Sequence, residues 1–235
     1  MDNPFKELIE HNLITSPYER KATELKKDFP DEAIATLREL ETIEINRYHV
    51  SPQVTLNIRL RIVTILYEHR RFQAAEQMLE EEFKKAKAWT ITSQDIEKAN
   101  KLYQERLDSY KIGHGPILGW KLKRDIGENA DFERNLYCKA IYTKFRILYE
   151  KQKKWDKALI YSMAEAYAQY ENKVHSVVVD SPTPDFKAVK RILKKANSEE
   201  IFDGLNDIFN IYTKSLDSEQ CWKMIAELER VLTYG

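Results

Sequence analysis

Apolar residues recur at spacings of three and four along most of the chain. Val54, Ile58, Ile62, Ile65 and Leu66 form one such stripe, and Phe72, Ala75, Met78, Leu79, Phe83 and Ala86 form the next. This is the period of a half-buried α-helix, so two amphipathic helices joined near Arg70 are expected. Phe132, Leu136, Ala140, Phe145, Leu148 and Tyr149 predict a long helix. Trp155, Ala158, Leu159, Ser162, Met163, Ala166, Tyr167 and Tyr170 predict its successor. Thr92 and Asp95 read as a capping box ahead of Ile96, Ala99, Leu102, Tyr103, Arg106 and Tyr110. Three further helices are expected at 185–196, 199–214 and 218–233. Strand-like alternation is nearly absent. The β-branched run Val177-Val178-Val179 ends at Ser181-Pro182-Thr183-Pro184 and is too short to found a sheet. The fold class predicted is all-α, about ten amphipathic helices paired as antiparallel hairpins.

Prolines mark several helix starts. A proline fits the first helical position because its missing N–H would have no partner there, and a preceding Ser or Asn caps the remaining donors. Asn3-Pro4, Ser16-Pro17 and Ser51-Pro52 carry that signature. Pro30 is followed by Asp31 and Glu32, acids that the helix dipole favours in a first turn. Four helix starts are thus expected within the first 52 residues.

Two tetrapeptides are identical, Ile65-Leu66-Tyr67-Glu68 and Ile147-Leu148-Tyr149-Glu150. Each precedes a short basic turn, then an aromatic, then an alanine three residues on: Phe72 with Ala75, and Trp155 with Ala158. Phe29 with Ala33, after Lys26-Lys27-Asp28, forms a looser third copy. A helical hairpin closes this way when the aromatic fills the corner and the small residue lets two helices approach. The pattern resembles the turn between the two helices of tetratricopeptide-like repeats over 18–46, 53–87 and 132–172. It departs from that family where Val63 and Arg146 stand in place of a small residue, where a terminal proline is missing, and in an 82-residue offset that is no multiple of the repeat. The resemblance implies a TPR-like α-solenoid, with an irregular helical bundle as the alternative.

Composition narrows the function classes. The 38 Lys+Arg cancel the 38 Asp+Glu, so no global field draws the chain to nucleic acid or anionic lipid. The start MDNPFKELIEHNL has no basic or apolar leader character, and no apolar run reaches the ~18 residues of a membrane span. Cys138 and Cys221 lie far apart without metal-ligand spacing. A cytoplasmic protein with reduced thiols is the expectation, built as a single helical domain over 1–235 or as two halves, 1–110 and 121–235, joined by the Gly-rich loop 111–120.

That loop holds Gly113, Gly115 and Gly119, with Gly127 just beyond, and His114 among them. It follows a helix and lacks the GK[ST] ending of a phosphate-binding loop, so it reads as a connector. The sharpest charge feature lies in helix 185–196, where Lys187, Lys190, Arg191, Lys194 and Lys195 fall on one face beside the apolar Ala188, Val189, Ile192, Leu193 and Ala196. An acidic partner, a phosphate backbone or a membrane surface would match that stripe; acids on neighbouring helices would neutralise it. Arg59, Arg61, His69, Arg70 and Arg71 spread over several sides of their helix and read as solvated, as do Glu80, Glu81 and Glu82. Tyr103, Tyr142, Tyr149, Tyr167 and Trp155 sit at core spacing. His11, His49, His69, His114 and His175 show no metal-site spacing, and no nucleophile elbow occurs. No cofactor or metal is predicted. The expectation is a non-enzymatic module that binds a protein or peptide on a helical-repeat surface, with nucleic-acid binding through helix 185–196 as the alternative. A homo-oligomer fits the same surface, and no membrane partner is expected.

Overall fold

The computed structural model describes residues 6–48, 52–89, 126–175 and 183–234. These residues form nine α-helices and no strand: α1 (Lys6–Leu25), α2 (Pro30–Tyr48), α3 (Pro52–Glu68), α4 (Phe72–Ala88), α5 (Ile126–Gln152), α6 (Trp155–His175), α7 (Lys187–Ala196), α8 (Phe202–Tyr212) and α9 (Ser218–Tyr234). None is long and apolar enough to cross a membrane. The expected helix at 96–110, the Gly-rich loop 111–120 with His114, the run 177–179 and the residues Asn3-Pro4 and Ser51 lie outside the described residues. The chain divides into two compact units, residues 1–82 and 83–235, and the division falls within α4.

Two helix starts match their prolines, at Pro30 and Pro52. Pro17 does not. It lies inside α1, which runs through Ser16-Pro17 without a break. An internal proline costs one helical hydrogen bond and crowds the carbonyl four residues before it, here Leu13, whose side chain is 70% exposed. Three helices therefore occupy the stretch where four starts were expected. The start of α5 at Ile126 places Gly127, just beyond the expected connector, within a helix.

In the first unit α1 packs on α2 and α2 on α3. Ala22 and Ala33 are fully buried, as small residues at helix crossings should be, with Leu37, Leu40, Ile62 and Val63 filling the core around them. The corner aromatic is another matter, since Phe29 is 56% exposed and fills nothing. The basic cluster on α3 and just beyond its end is solvated only in part: Arg70 and Arg71 are exposed, whereas Arg59 is drawn between helices. Arg59 reaches Glu41 on α2 and Glu82 on α4, both buried. Arg61 donates to the Glu19 side chain at 3.0 Å and to its backbone carbonyl at 3.1 Å. Arg71 grips Asp31 through both guanidinium ends, and the His69 ring nitrogen Nε2 lies 2.7 Å from the Lys26 carbonyl. These bonds tie the α1–α2 corner to the α3–α4 corner. Spread over several sides, the cations serve as inter-helix links because three helices surround α3.

Helix α6 organises the second unit. It packs on α5, α7 and α9, and from Ala158 to Ala168 only Tyr161 escapes full burial. Its alanines at 158, 164, 166 and 168 allow neighbours to approach on several sides, which is how a helix becomes central. Tyr142, Phe145, Tyr149 and Tyr161 pack together between α5 and α6, with the Phe145 and Tyr161 rings stacked at 4.4 Å. The buried Tyr167 hydroxyl accepts from the Asp217 N–H at 3.2 Å and lies within bonding distance of the Ser215 and Asp217 carbonyls, fixing the α8–α9 connection.

Three helix ends close alike. Arg70, Lys153 and Asn197 adopt left-handed backbone, with φ of 60°, 56° and 53°. The next residue's N–H returns in each case to the carbonyl five positions back: Arg71 to Leu66, Lys154 to Tyr149, Ser198 to Leu193. This geometry shifts the identical tetrapeptides out of register. Arg70 stands two residues after Glu68, whereas Lys153 stands three after Glu150, so Leu66 is equivalent to Tyr149 rather than to Leu148. Phe72 and Trp155, with Ala75 and Ala158, do occupy equivalent places, and both alanines are fully buried.

Replacing Arg59 with methionine leaves Glu41 and Glu82 buried without their shared cation, and should lower unfolding stability by about 3 kcal/mol. Urea titration reads the loss. A variant Arg59→Met/Glu82→Gln should recover part of it, and an unchanged transition in Arg59→Met would contradict the pairing.

Candidate functional site

The basic helix forms nearly as expected, over 187–196, with Asp185 outside it accepting the Lys187 N–H at 3.1 Å. Val189, Ile192 and Leu193 are buried, which turns the cationic face outward. The five cations then part company. Arg191 Nη2 donates to Glu150 Oε1 at 2.7 Å, and Lys195 Nζ donates to Glu150 Oε2 at 3.2 Å. Lys190 lies over the Phe202 ring, 4.8 Å from its centroid. Lys187 is 93% exposed, 4.0 Å from Asp185, and Lys194 is exposed.

Glu150 ends the second tetrapeptide, two residues before the end of α5. Arg146 donates to its Oε1 at 2.7 Å from the preceding turn and to Glu165 Oε2 on α6 at 2.6 Å. Thr143 Oγ1 donates to Glu165 Oε1 at 2.9 Å. Arg146, which departed from the repeat pattern by standing where a small residue belongs, therefore joins α5 to α6, and Glu150 joins α5 to α7. Burial pushes the Glu150 carboxyl up, but the hydrogen bonds from Arg146 and Lys195 and the charges of Arg191 and Arg146 outweigh it and hold the carboxyl below its ordinary value.

Arg146, Ile147, Glu150, Lys151, Arg191 and Lys195 line an open groove of about 430 Å³ between the end of α5 and α7. Four cations and one carboxylate face it. Periodicity finds Arg191 and Lys195, because both belong to one helix. It misses Arg146, Glu150 and Lys151, which lie about forty residues earlier; the repeated tetrapeptide marks Glu150 without indicating its partners.

Other chemistry is sparse. Among the described residues no group of three or more His, Cys, Asp or Glu side chains is placed to hold a metal ion. Cys138 and Cys221 are buried free thiols, and burial pushes the Cys221 thiol well up, away from the reactive thiolate. Of the acidic run on α4, Glu80 and Glu81 are exposed, but Glu82 is buried on Arg59, correcting its reading as solvated. Compared with family models, curated proteins and solved structures, the chain matches none.

The lowered Glu150 carboxyl gives a pH signature. Its folded-state value lies below the ordinary 4.5, so the stabilisation it confers is present above that pH and is lost as pH falls through the folded value. The thermal midpoint of the native chain should exceed that of Glu150→Gln at neutral pH, with the gap closing below pH 4.5. Parallel midpoint-against-pH curves would refute the role assigned to Glu150.

Proposed function

We propose that the chain is a non-enzymatic interaction module of tetratricopeptide-like helical hairpins, acting in the cytoplasm by binding a protein or peptide. The observation that carries this reading is the recurrence of one hairpin device. Ala75 and Ala158 are buried just past corners of the same form, and seven residues beyond each stands a buried glutamate, Glu82 and Glu165, held by an arginine of the preceding helix. Ala33 and Glu41, eight apart, share the buried alanine and glutamate, but the arginines on Glu41 come from its own helix and the following one. Hairpins that share a closure and a cross-link suit side-by-side assembly, and such assemblies present extended surfaces for partners. The warrant is analogy of fold, since the device itself performs no chemistry. Two buried free cysteines agree with a reducing compartment.

Affinity purification of the tagged chain under native conditions, followed by size-exclusion chromatography with light scattering, tests the proposal. A partner co-eluting at fixed stoichiometry is expected. Repeated recovery of the chain alone as a monomer would overturn it.

A further inference from the structure

A hydroxyl stands directly before a proline at Ser16, Ser51, Ser181 and Thr183. Ser51 and Ser181 lie outside the described residues, which leaves Ser16 and Thr183 to compare. Ser16 is wound into α1, with Pro17 inside the same helix. Thr183 is placed differently. Residues 183–186 belong to no helix or strand, and Thr183 is exposed. Pro184 does not start a helix as Pro30 and Pro52 do, since α7 begins only at Lys187 and its first N–H goes to Asp185 Oδ1 at 3.1 Å. What Pro184 does is restrict the residue before it: its ring crowds the Thr183 backbone out of helical geometry and into an extended form. Lys173, near the end of α6, donates from Nζ to the Thr183 carbonyl at 3.2 Å, an exposed bond that water can replace. The Thr183-Pro184 pair is thus held open to solvent by a proline that has no part in building the fold.

We propose that Thr183 is a phosphorylation site for a proline-directed protein kinase, an inference independent of the interaction-module reading. An enzyme cleft that modifies a chain takes it as an extended segment, the form Pro184 imposes on Thr183. A cleft that offers no acceptor to the residue after the hydroxyl selects proline there, because any other residue would bury an unpaired N–H. In the transfer, Thr183 Oγ1 bonds to the γ-phosphorus of a nucleoside triphosphate held by the kinase. The bond from that phosphorus to the β,γ-bridging oxygen breaks, the nucleoside diphosphate leaves, and the hydroxyl proton passes to the kinase's catalytic carboxylate. The product brings about two negative charges. They arrive where an anion is already accepted: Asp185, two residues on, stands before the positive end of α7. The Lys187 ammonium, 93% exposed, lies 4.0 Å from Asp185.

Transfer of labelled phosphate from ATP to the full chain tests this, using a mitogen-activated and a cyclin-dependent kinase, with the acceptor located by tandem mass spectrometry. Thr183 should be labelled in the native chain. Ser16, with the same neighbour but inside a helix, should be labelled about tenfold more slowly. Pro184→Ala should slow labelling of Thr183 about tenfold by restoring the N–H that the cleft cannot satisfy. Circular dichroism confirms that this variant is folded. The proposal is overturned if Thr183 stays unlabelled with both kinases, if Ser16 is labelled as readily, or if Pro184→Ala is labelled at the native rate. Each of these outcomes is read without a binding partner and leaves the interaction-module reading untouched.

Discussion

A carboxylate placed between packed helices loses its hydration and must recover that energy from a cation in the right place. Glu41, Glu82 and Glu165 are all in this position, and an arginine meets each of them. An apolar core tolerates sliding by small steps, because one methyl group packs much like another. A buried ion pair does not, since moving one helix by a turn separates the charges and leaves each of them stranded at a cost of several kcal/mol. Arg59 fixes α3 against two helices at once, and Arg146 with Thr143 fixes α5 against α6. The alanines at the crossings set how close these helices come; the ion pairs set their register.

Where helices end, the chain uses backbone rather than side chains. The left-handed residues at 70, 153 and 197 let the final carbonyls of three helices find donors inside the turn. The polypeptide reverses within two or three residues as a result. That brings Ala75 and Ala158 onto the helices they cross and delivers Glu82 and Glu165 opposite their arginines. In the second unit Tyr167 extends the same economy of short connections to the α8–α9 turn by holding Asp217.

Much of this order could be read along the chain. The three-and-four spacing located α3, α4 and α6 to α9 to within a few residues, and α5 from Phe132 onward, because burial of a helix face is a local, periodic property. Arg70 was recognisable as a corner for the same reason. Pro17 misled because its Ser-Pro pair has the chemistry of a cap, and only the packing of α1 decides that the helix continues through it. Glu82 and Arg59 misled more deeply. A buried charge looks like a solvated one in sequence, and what separates them is a partner 23 residues away. The groove divides in the same way: its half on α7 follows a helical stripe, and its half on α5 depends on which residues a distant turn brings alongside.

The corner residues have a further consequence. Arginine, lysine and asparagine at 70, 153 and 197 hold a backbone conformation that costs a residue with a β-carbon roughly 1 kcal/mol and costs glycine almost nothing. The cations recover part of this by standing at the negative ends of their helices. The chain thus sits below the stability its own backbone would support, and its corners are the sites where selection or engineering could raise the melting temperature without disturbing a single packed side chain.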